Sequence, residues 1–281
     1  MTELENKIAV VEGADVLNAK MMDEIVQHLI ENGKLMVIGL GGTGKTNTTM
    51  HIVRWLMQMV QYKAGNMVIR IGDSSNVWKL KFDKIPYIDI TKKASIPEEE
   101  KTVLLDLGYL DGAKNVAILQ NLIGEDYYSQ RELMNNNHGQ TPIMRIYVLE
   151  EIQNLFDSNG KSKFWLKIWS ESRNYGQFFV GLAQRLSDVS TRIVERTKWM
   201  LIGSLSGDND LAKIRRMFGK TTGESVINKI QSLKRGEFLL IDRENTESSF
   251  KIYFPQFIQD GQPYEFNSKN NGHMRVERIF L

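Results

Sequence analysis

The eight residues from Gly39 to Thr46 have the types and the spacing of a phosphate-binding loop. They read Gly-Leu-Gly-Gly-Thr-Gly-Lys-Thr and satisfy the pattern Gly-x-x-x-x-Gly-Lys-Ser/Thr in full. Glycines allow successive backbone N–H groups to turn around an anion at the N-terminus of a helix. The lysine of such a loop reaches the β- and γ-phosphates, and the final hydroxyl binds Mg²⁺. The expected chemistry is therefore binding of ATP with Mg²⁺.

We expect the nucleotide contacts to come from this loop and from the first residues of the helix after it. The predicted set is Gly39, Gly41, Gly42, Thr43, Gly44, Lys45, Thr46 and Asn47. Gly41 and Thr43 are expected to act through backbone geometry only. Lys45 is expected to act on the phosphates, and Thr46 is expected to be a metal ligand.

A magnesium-nucleotide site also needs a carboxylate at the end of a neighbouring strand, and two places qualify. Asp106 ends one apolar run, and Glu150 with Glu151 follows another. The pair offers more chemistry, because Glu150 can position metal-bound water while Glu151 polarises the attacking water as a general base. The alternative role for the two glutamates is structural, because negative charges stabilise the N-terminus of a helix. The spacing favours the glutamate pair and leaves Asp106 as a rival.

The elements that must position these residues alternate along the chain between short apolar runs and longer runs with helical spacing. This alternation predicts an α/β fold, a mostly parallel sheet with helices on both faces. Near the end, 237–241 and 250–254 predict a C-terminal β-hairpin at the sheet edge. The predicted strands are 35–39, 67–71, 102–107, 143–149, 178–182 and 199–202, and the predicted helices are 46–62, 113–123, one from 150, and 164–174.

Composition narrows the class of protein. The chain has 281 residues, a formal net charge of +2, 42% hydrophobic residues and no cysteine. These values are typical of globular proteins and exclude a disulfide framework, a thiolate zinc site and a cysteine nucleophile. No apolar run reaches the roughly 18 residues that span a bilayer, and no signal peptide is visible. We expect one cytoplasmic domain over 1–281, with a helical lead-in (1–33), a core (about 34–255) and a tail (256–281).

The net charge of the whole chain is close to zero, but the charges are distributed unevenly along it. Residues 1–160 carry 16 basic and 21 acidic groups, whereas residues 161–281 carry 20 basic and 13 acidic groups. The second part could present a surface to a polyanion. The loop 157–163, and a cluster made of Lys213, Arg215 and Arg216, could contact phosphates, although both are also compatible with ordinary solvated surface.

Beyond the loop, four motifs in order resemble the FtsK–HerA superfamily of P-loop ATPases. Residues 149–153 (Leu-Glu-Glu-Ile-Gln) resemble its Walker B sequence, and 171–176 (Glu-Ser-Arg-Asn-Tyr-Gly) its Arg-x-Tyr-Gly segment. Residues 182–188 resemble its Thr-Gln-Arg-Pro-Ser-Asp motif, and 232–238 its closing Leu-x-x-Gly-Glu strand. The resemblance covers about 34–255 and implies a RecA-like P-loop fold, with Asp106 on a non-catalytic core strand.

The family comprises ring-forming, usually hexameric, ATP-driven pumps for DNA or polypeptide. The resemblance implies that Glu150 organises Mg²⁺, that Glu151 is the catalytic base and that Gln184 is the strand-end sensor of the γ-phosphate. It implies that Arg173 is the arginine finger donated across a subunit interface, with Arg185 as the alternative. Two positions depart from the family pattern: Glu150 stands where Asp is usual, and Leu186 stands where Pro is common.

The resemblance implies a hydrolase that translocates double-stranded DNA as a homo-oligomeric ring, with viral or mobile-element genome packaging as the leading role. A portal, capsid or nuclease partner would then be expected, and the location would be host cytoplasm or virion if the protein is viral. A secretion or conjugation ATPase that moves protein is one alternative. An ATP-dependent switch or scaffold with little turnover is another. A small-molecule kinase is disfavoured, because the glutamate pair and Gln184 suit water activation.

Overall fold

The structure is a computed structural model that describes most of the chain. It covers residues 19–73, 77–90, 100–106, 113–136, 143–155, 163–246, 249–256, 274–279 and 281. Most of the loop expected to contact DNA, 157–162, lies outside the described residues. So do residues 1–18 of the predicted lead-in and 257–273 of the predicted tail.

Ten strands of the described chain form one mixed sheet in the order β10-β9-β8-β7-β1-β6-β5-β2-β4-β3. Seven neighbouring strands, from β7 to β3, are parallel, and β8, β9 and β10 continue the sheet antiparallel. The strands are β1 (Lys34–Ile38), β2 (Met67–Asp73), β3 (Tyr87–Asp89), β4 (Thr102–Asp106), β5 (Met144–Leu149), β6 (Gln177–Ala183), β7 (Trp199–Ile202), β8 (Glu237–Asp242), β9 (Ser249–Tyr253) and β10 (Arg275–Ile279).

Helices cover both faces of this sheet, and each face has its own apolar core. On β1, Met36 and Ile38 face one core, while Leu35 and Val37 face the other, because side chains alternate along a strand. Helices α5 to α10 lie on the first face, and α1, α2 and α4 on the second. The helices are α1 (19–32), α2 (Lys45–Gln58), α3 (Val60–Lys63), α4 (Val77–Lys81), α5 (Ala113–Asn136), α6 (Ile152–Leu155), α7 (Lys163–Glu171), α8 (Thr191–Glu195), α9 (Asp208–Phe218) and α10 (Lys220–Gln231).

The predicted α/β class is confirmed, and several details differ from expectation, among them helices α4, α8, α9 and α10, which were not predicted, and α5, which runs to Asn136 rather than to 123. The helix predicted over 46–62 breaks at Met59, whose extended backbone (ψ 152) ends α2. Strand β3 was missed because its three residues are too few for a periodic pattern. The predicted hairpin, β8 and β9, forms but does not end the sheet, since β10 pairs outside β9.

The topology brings three strand ends together. Strand β6 lies between β1 and β5, with Ile38 opposite Ala183 and Leu149 opposite Gly181. Parallel strands end at one edge of a sheet, and that edge is where ligands of open α/β sheets bind. The residues that follow β1, β5 and β6 are the phosphate-binding loop, the glutamate pair and Gln184, so the fold gathers all three at this edge.

Candidate active site

The phosphate-binding loop leaves β1 in a tight turn that requires glycine at several places. A Cβ on Gly39 would lie 2.8 Å from the Thr43 hydroxyl oxygen. Gly42 and Gly44 have φ values of 79° and 103°, a left-handed backbone that glycine adopts without strain. The Thr43 N–H and hydroxyl both donate to the Leu40 carbonyl, at 3.3 Å and 2.8 Å. Thr43 thus shapes the loop through its side chain as well as through its backbone.

The inner side of the loop has room for a ligand. A Cβ on Gly41 or Gly42 would meet nothing within 4 Å. The Lys45 ammonium donates across the loop to the carbonyls of Gly39 and Leu40, at 2.7 Å and 3.2 Å. Burial lowers the pKa of Lys45 from its ordinary 10.5, and the negative charges of Glu151 and Glu150 oppose that shift. A partly desolvated cation beside an open glycine loop suits a phosphate group.

Glu150 joins the strand end to the loop. Its side chain is 5% exposed, and its Oε1 accepts hydrogen bonds from the Thr46 hydroxyl at 3.0 Å and from the Trp78 indole N–H at 3.2 Å. A hydroxyl and a carboxylate at this separation fit Mg²⁺, which commonly takes one or two protein oxygens and completes its shell with phosphate and water. The longer side chain of Glu at a position where Asp is usual therefore still reaches Thr46.

Glu151 is held by two amides. Its Oε1 accepts a hydrogen bond from Gln184 Nε2 at 2.7 Å, and its Oε2 accepts one from Gln153 Nε2. The Glu151 backbone has φ 52° and is the single non-glycine left-handed residue of the described chain. Such strain, of roughly 1–3 kcal/mol, is frequent at functional sites. Gln153 stands in the quoted Walker B sequence, but only the structure shows that it contacts Glu151.

Asp106, the rival acid, lies elsewhere. Its strand β4 is separated from β5 by β2, and Asp106 is in register with Asp73 and Asp89 at the far side of the sheet. Tyr87 forms a side-chain hydrogen bond with Asp106, and burial and this contact raise the pKa of Tyr87. Of the two candidate acids, therefore, it is Glu150 that contacts the loop.

The two candidate arginine fingers occupy opposite ends of β6. Arg185 follows Gln184 at the carboxyl end, beside the chain's own loop. Arg173 lies in the 3₁₀ turn Ser172–Tyr175 before the amino end, and its guanidinium donates to the Glu31 carbonyl. Seven residues of strand span about 20 Å, so Arg173 cannot reach the phosphate-binding loop of its own chain.

A cavity of about 510 Å³ opens beside the loop and suits the nucleoside part of a ligand. Asn47, Gly236 and Tyr253 are among the residues that line it. Gly236 donates its N–H to the Thr43 carbonyl at 2.9 Å, and a Cβ there would lie 2.9 Å from the Phe254 carbonyl oxygen. The predicted closing strand thus forms one wall of the cavity, a role that sequence reasoning had not assigned to Gly236.

Asn47 and His51 tie helix α2 to the same wall. The Asn47 amide donates to the Pro255 carbonyl at 2.7 Å, and His51 Nε2 lies 2.9 Å from that oxygen. Since a carbonyl only accepts, His51 must donate. Burial lowers the pKa of His51 to about 4, so the ring is neutral at pH 7. Asn47 was predicted to contact nucleotide, and it both lines the cavity and fastens its wall.

Solved structures of low sequence identity share this architecture. The genome packaging NTPase B204 of Sulfolobus turreted icosahedral virus 2, solved with ATP-γS, superposes with a TM-score of 0.54 at 15% identity, over 76% of this chain and 94% of B204. VirB4 of Thermoanaerobacter pseudethanolicus superposes with a TM-score of 0.55 at 12% identity, over 83% of this chain and 90% of VirB4. The chain therefore shares the mostly parallel α/β fold of these P-loop ATPases.

A third similar structure contains ATPases 2 and 3 of EssC from Geobacillus thermodenitrificans. It has a TM-score of 0.55 at 14% identity over 83% of this chain, which spans 41% of the EssC chain. No protein-family model matches the sequence, and no curated protein matches it. The superposed structures confirm the fold that the motif resemblance implied. Among the described residues, no helix has both the length and the apolar character needed to cross a membrane.

Proposed function

We propose that this protein hydrolyses ATP at the edge formed by β1, β5 and β6. The observation that carries the proposal is the contact of both glutamates with the phosphate site: Glu150 with Thr46, and Glu151 with the strand-end Gln184. A structural role at a helix N-terminus would not need contacts with residues more than 30 positions away on two other elements.

Each residue then has a distinct task. Lys45 neutralises phosphate charge, and Thr46 with Glu150 would hold Mg²⁺, which when bound neutralises charge on the phosphates. Glu151 accepts the proton of the attacking water, and Gln184 positions Glu151 or the γ-phosphate. A guanidinium from a second subunit, Arg173, stabilises the charge of the transition state, an effect of about 10³–10⁵ in rate in well-studied cases.

We further propose that the ATPase is a ring motor, a homo-hexamer that translocates double-stranded DNA. The position of Arg173 supports a ring, because a residue about 20 Å from its own loop acts only on a neighbour's nucleotide. The similarity to a structure named as a genome packaging NTPase supports DNA as the cargo, as does the basic excess after residue 160. Of the basic cluster expected to contact phosphates, Lys213 is buried and donates to the Val189 carbonyl, so it is unavailable to DNA.

The test is the ATPase rate with and without duplex DNA, over a series of salt concentrations. A DNA motor shows stimulation that declines as salt rises, because phosphate contacts release counterions. Lys45→Ala should abolish the rate, whereas Lys229→Met, at an exposed lysine on α10, should not change it. An ATPase rate that falls in Glu151→Gln but does not change when duplex DNA is added would favour a motor that moves polypeptide. A slow rate unchanged by Glu151→Gln would favour the switch.

A further inference from the structure

The indole of Trp78 reaches the proposed magnesium site from helix α4. Its N–H donates to Glu150 Oε1 at 3.2 Å, and the same oxygen accepts the Thr46 hydroxyl at 3.0 Å. Trp78 is fully buried, and Glu150 is nearly so. A buried carboxylate is costly unless hydrogen bonds replace its water, and an indole N–H can only donate. Two donors on different helices, α4 and α2, therefore fix one oxygen of this carboxylate.

Glu150 needs such support more than an aspartate would. Its side chain has one more rotatable bond than the aspartate usual at this position, so holding it in one conformation costs more conformational entropy. The Trp78 ring is itself held, because it stacks on Phe82 with ring centroids 5.6 Å apart. Both rings are fully buried in the apolar core of the second sheet face. A hydrogen bond from so fixed a ring restricts the orientation of the carboxylate.

Helix α4 is anchored where β2 and β5 end. The Lys79 N–H donates to Asp73 Oδ2 at 3.2 Å, and Asp73 is the last residue of β2. Strand β2 pairs with β5, with Gly72 opposite Leu149. Asp73 and Glu150 each follow that pair by one position, so the anchor of α4 and the proposed magnesium acid lie at the same edge of the sheet.

Other side chains of α4 line the nucleoside cavity. Val77 and Lys81 both line it, and residues four apart lie on one face of a helix. Trp78 and Phe82, also four apart, are fully buried instead. The cavity wall and the contact with Glu150 thus depend on different side chains of one helical turn. A substitution of Trp78 therefore leaves the residues that line the cavity unchanged.

We propose that Trp78 is a positioning residue for Mg²⁺, which acts by holding the Glu150 carboxylate in contact with Thr46. The inference rests on the proposed ATPase and adds a residue that lies outside every motif of the family resemblance. Trp78 acts through Glu150 and not on the nucleotide. Loss of the indole N–H should therefore weaken the response to magnesium, while binding of nucleotide without metal should not change.

The first experiment measures nucleotide binding without hydrolysis. ATP-γS is titrated calorimetrically into wild type and Trp78→Phe, in EDTA and over a series of free magnesium concentrations. In Trp78→Phe the magnesium concentration that gives half of the gain in affinity should rise roughly tenfold, the loss expected for a hydrogen bond to a charged group. Affinity in EDTA should stay within about twofold of wild type, because the loop and the cavity are unchanged.

The matched control is Trp169→Phe, which loses an indole hydrogen bond to the Thr197 hydroxyl (3.3 Å) in the core of the other sheet face. Its magnesium dependence should equal that of wild type. An equal magnesium dependence in wild type and Trp78→Phe would overturn the proposal. So would a loss of affinity in EDTA as large as the loss with magnesium, since that result would show damage to the loop or the cavity.

The second experiment asks whether Trp78 acts through Glu150. In Glu150→Asp the carboxylate is one methylene shorter, so the indole bond should already be weakened. Trp78→Phe should then raise the magnesium requirement by less than about twofold in the Glu150→Asp background, against roughly tenfold in wild type. Residues that interact show such non-additive effects. Equal effects in the two backgrounds would show that Trp78 acts by packing alone, and the proposal would be wrong.

A further variant keeps the test valid if Trp78→Phe fails to fold. Site-specific replacement of Trp78 by benzothienylalanine retains the fused ring and exchanges the N–H for sulfur, so it removes the hydrogen bond without opening a cavity. This protein should show the same rise in the magnesium requirement as expected for Trp78→Phe. A wild-type requirement in this protein would overturn the proposal.

The outcomes separate this inference from the proposed function. If wild type binds ATP-γS with magnesium but does not hydrolyse ATP, the proposed function fails, and the binding titrations still decide the role of Trp78. If wild type hydrolyses ATP, excess magnesium should restore kcat of Trp78→Phe to within about twofold, because Glu151 and Gln184 are unchanged. A kcat that stays low at saturating magnesium would overturn the positioning role and leave the ATPase standing.

Discussion

At the scale of single residues, Glu151 combines a strained backbone with a carboxylate that two amides orient. Glu151→Gln keeps the size and removes the basicity, so kcat should fall about 10²- to 10⁴-fold, the range for loss of a general base. Binding of ATP-γS should remain, because Lys45 and the loop are unchanged. Steady-state kinetics and calorimetry measure the two effects. Glu132→Gln, at an exposed position on α5, is the control, and an equal fall there would contradict the assignment.

Lys45 gives ATP binding a dependence on pH. Burial lowers its pKa below the ordinary 10.5, and the charged form is the one that binds phosphate. Affinity for ATP should therefore decline as pH rises from neutral towards 10.5, earlier than an ordinary lysine would cause. Because bound phosphate favours the charged form, binding in that window should take up protons. Calorimetry in two buffers of different ionisation enthalpy detects the uptake. In Lys45→Arg, whose guanidinium stays protonated, affinity should be flat over the same window.

At the scale of elements, one buried carbonyl couples helix α2 to the strand that walls the cavity. His51→Leu removes one of the two donors to Pro255, and the free energy of unfolding should fall by roughly 1–3 kcal/mol. Since the wall loosens, affinity for ATP should also fall, roughly threefold to tenfold. Chemical denaturation and calorimetry measure the two quantities. His51→Gln, which retains an amide donor, should recover part of both, and no recovery would argue against the hydrogen bond.

The same histidine makes stability depend on pH in the acid range. The pKa of His51 is about 4 in the folded chain, against an ordinary 6.5. Between these values the unfolded chain binds more protons, so stability falls as the pH is lowered from 6.5 to 4. His28, whose pKa burial also lowers to about 4, acts in the same direction. His51→Leu should therefore reduce the slope without abolishing it, and an unchanged slope would contradict the shifted pKa.

At the scale of the whole molecule, the two ends of β1 differ: Lys45 lies near two carboxylates after the carboxyl end, whereas the charges that act on Lys34 at the amino end, Arg173 and Arg196, are both positive. Burial, together with these two charges, gives Lys34 a pKa of about 8 when folded, against 10.5 ordinarily. The unfolded chain therefore holds more protons between these values, and stability should rise with pH across the window, by about 3 kcal/mol. Urea denaturation of wild type and Lys34→Met measures the difference. The variant should be the more stable at pH 7 and should lack this part of the rise.

Lys213 also contributes to the dependence of stability on pH, in wild type and in Lys34→Met alike. Its pKa is also lowered to about 8, first by burial and then by the charge of Arg216, so it produces a rise of the same sign in both proteins. The test is therefore the difference between the two curves. Parallel curves for wild type and Lys34→Met would show that the amino-edge lysine is not the buried, uncompensated charge described above.

The features that could be predicted from the sequence are those that depend on neighbours in the chain. The glycine pattern of the loop specifies its turn, because the φ angles of Gly42 and Gly44 are local properties. Alternation of apolar runs predicted the parallel α/β sheet, and helical spacing predicted a helix over 164–174, which forms as α7 and buries Trp165 and Trp169. Boundaries such as the break at Met59 were missed, since tertiary contacts can override helix propensity.

Pairings between distant residues required the tertiary structure. Thr46 and Glu150 are 104 positions apart. The spacing favoured the glutamate pair over Asp106, and strand order gives the physical reason, since β5 lies two strands from β1 and β4 lies further away. The contact of Gln153 with Glu151 and the approach of Arg173 to Lys34 likewise depend on which strands are adjacent. The sequence by itself therefore determined the local chemistry and the class of fold. The order of strands, which depends on how both apolar faces are buried together, decided which residues meet.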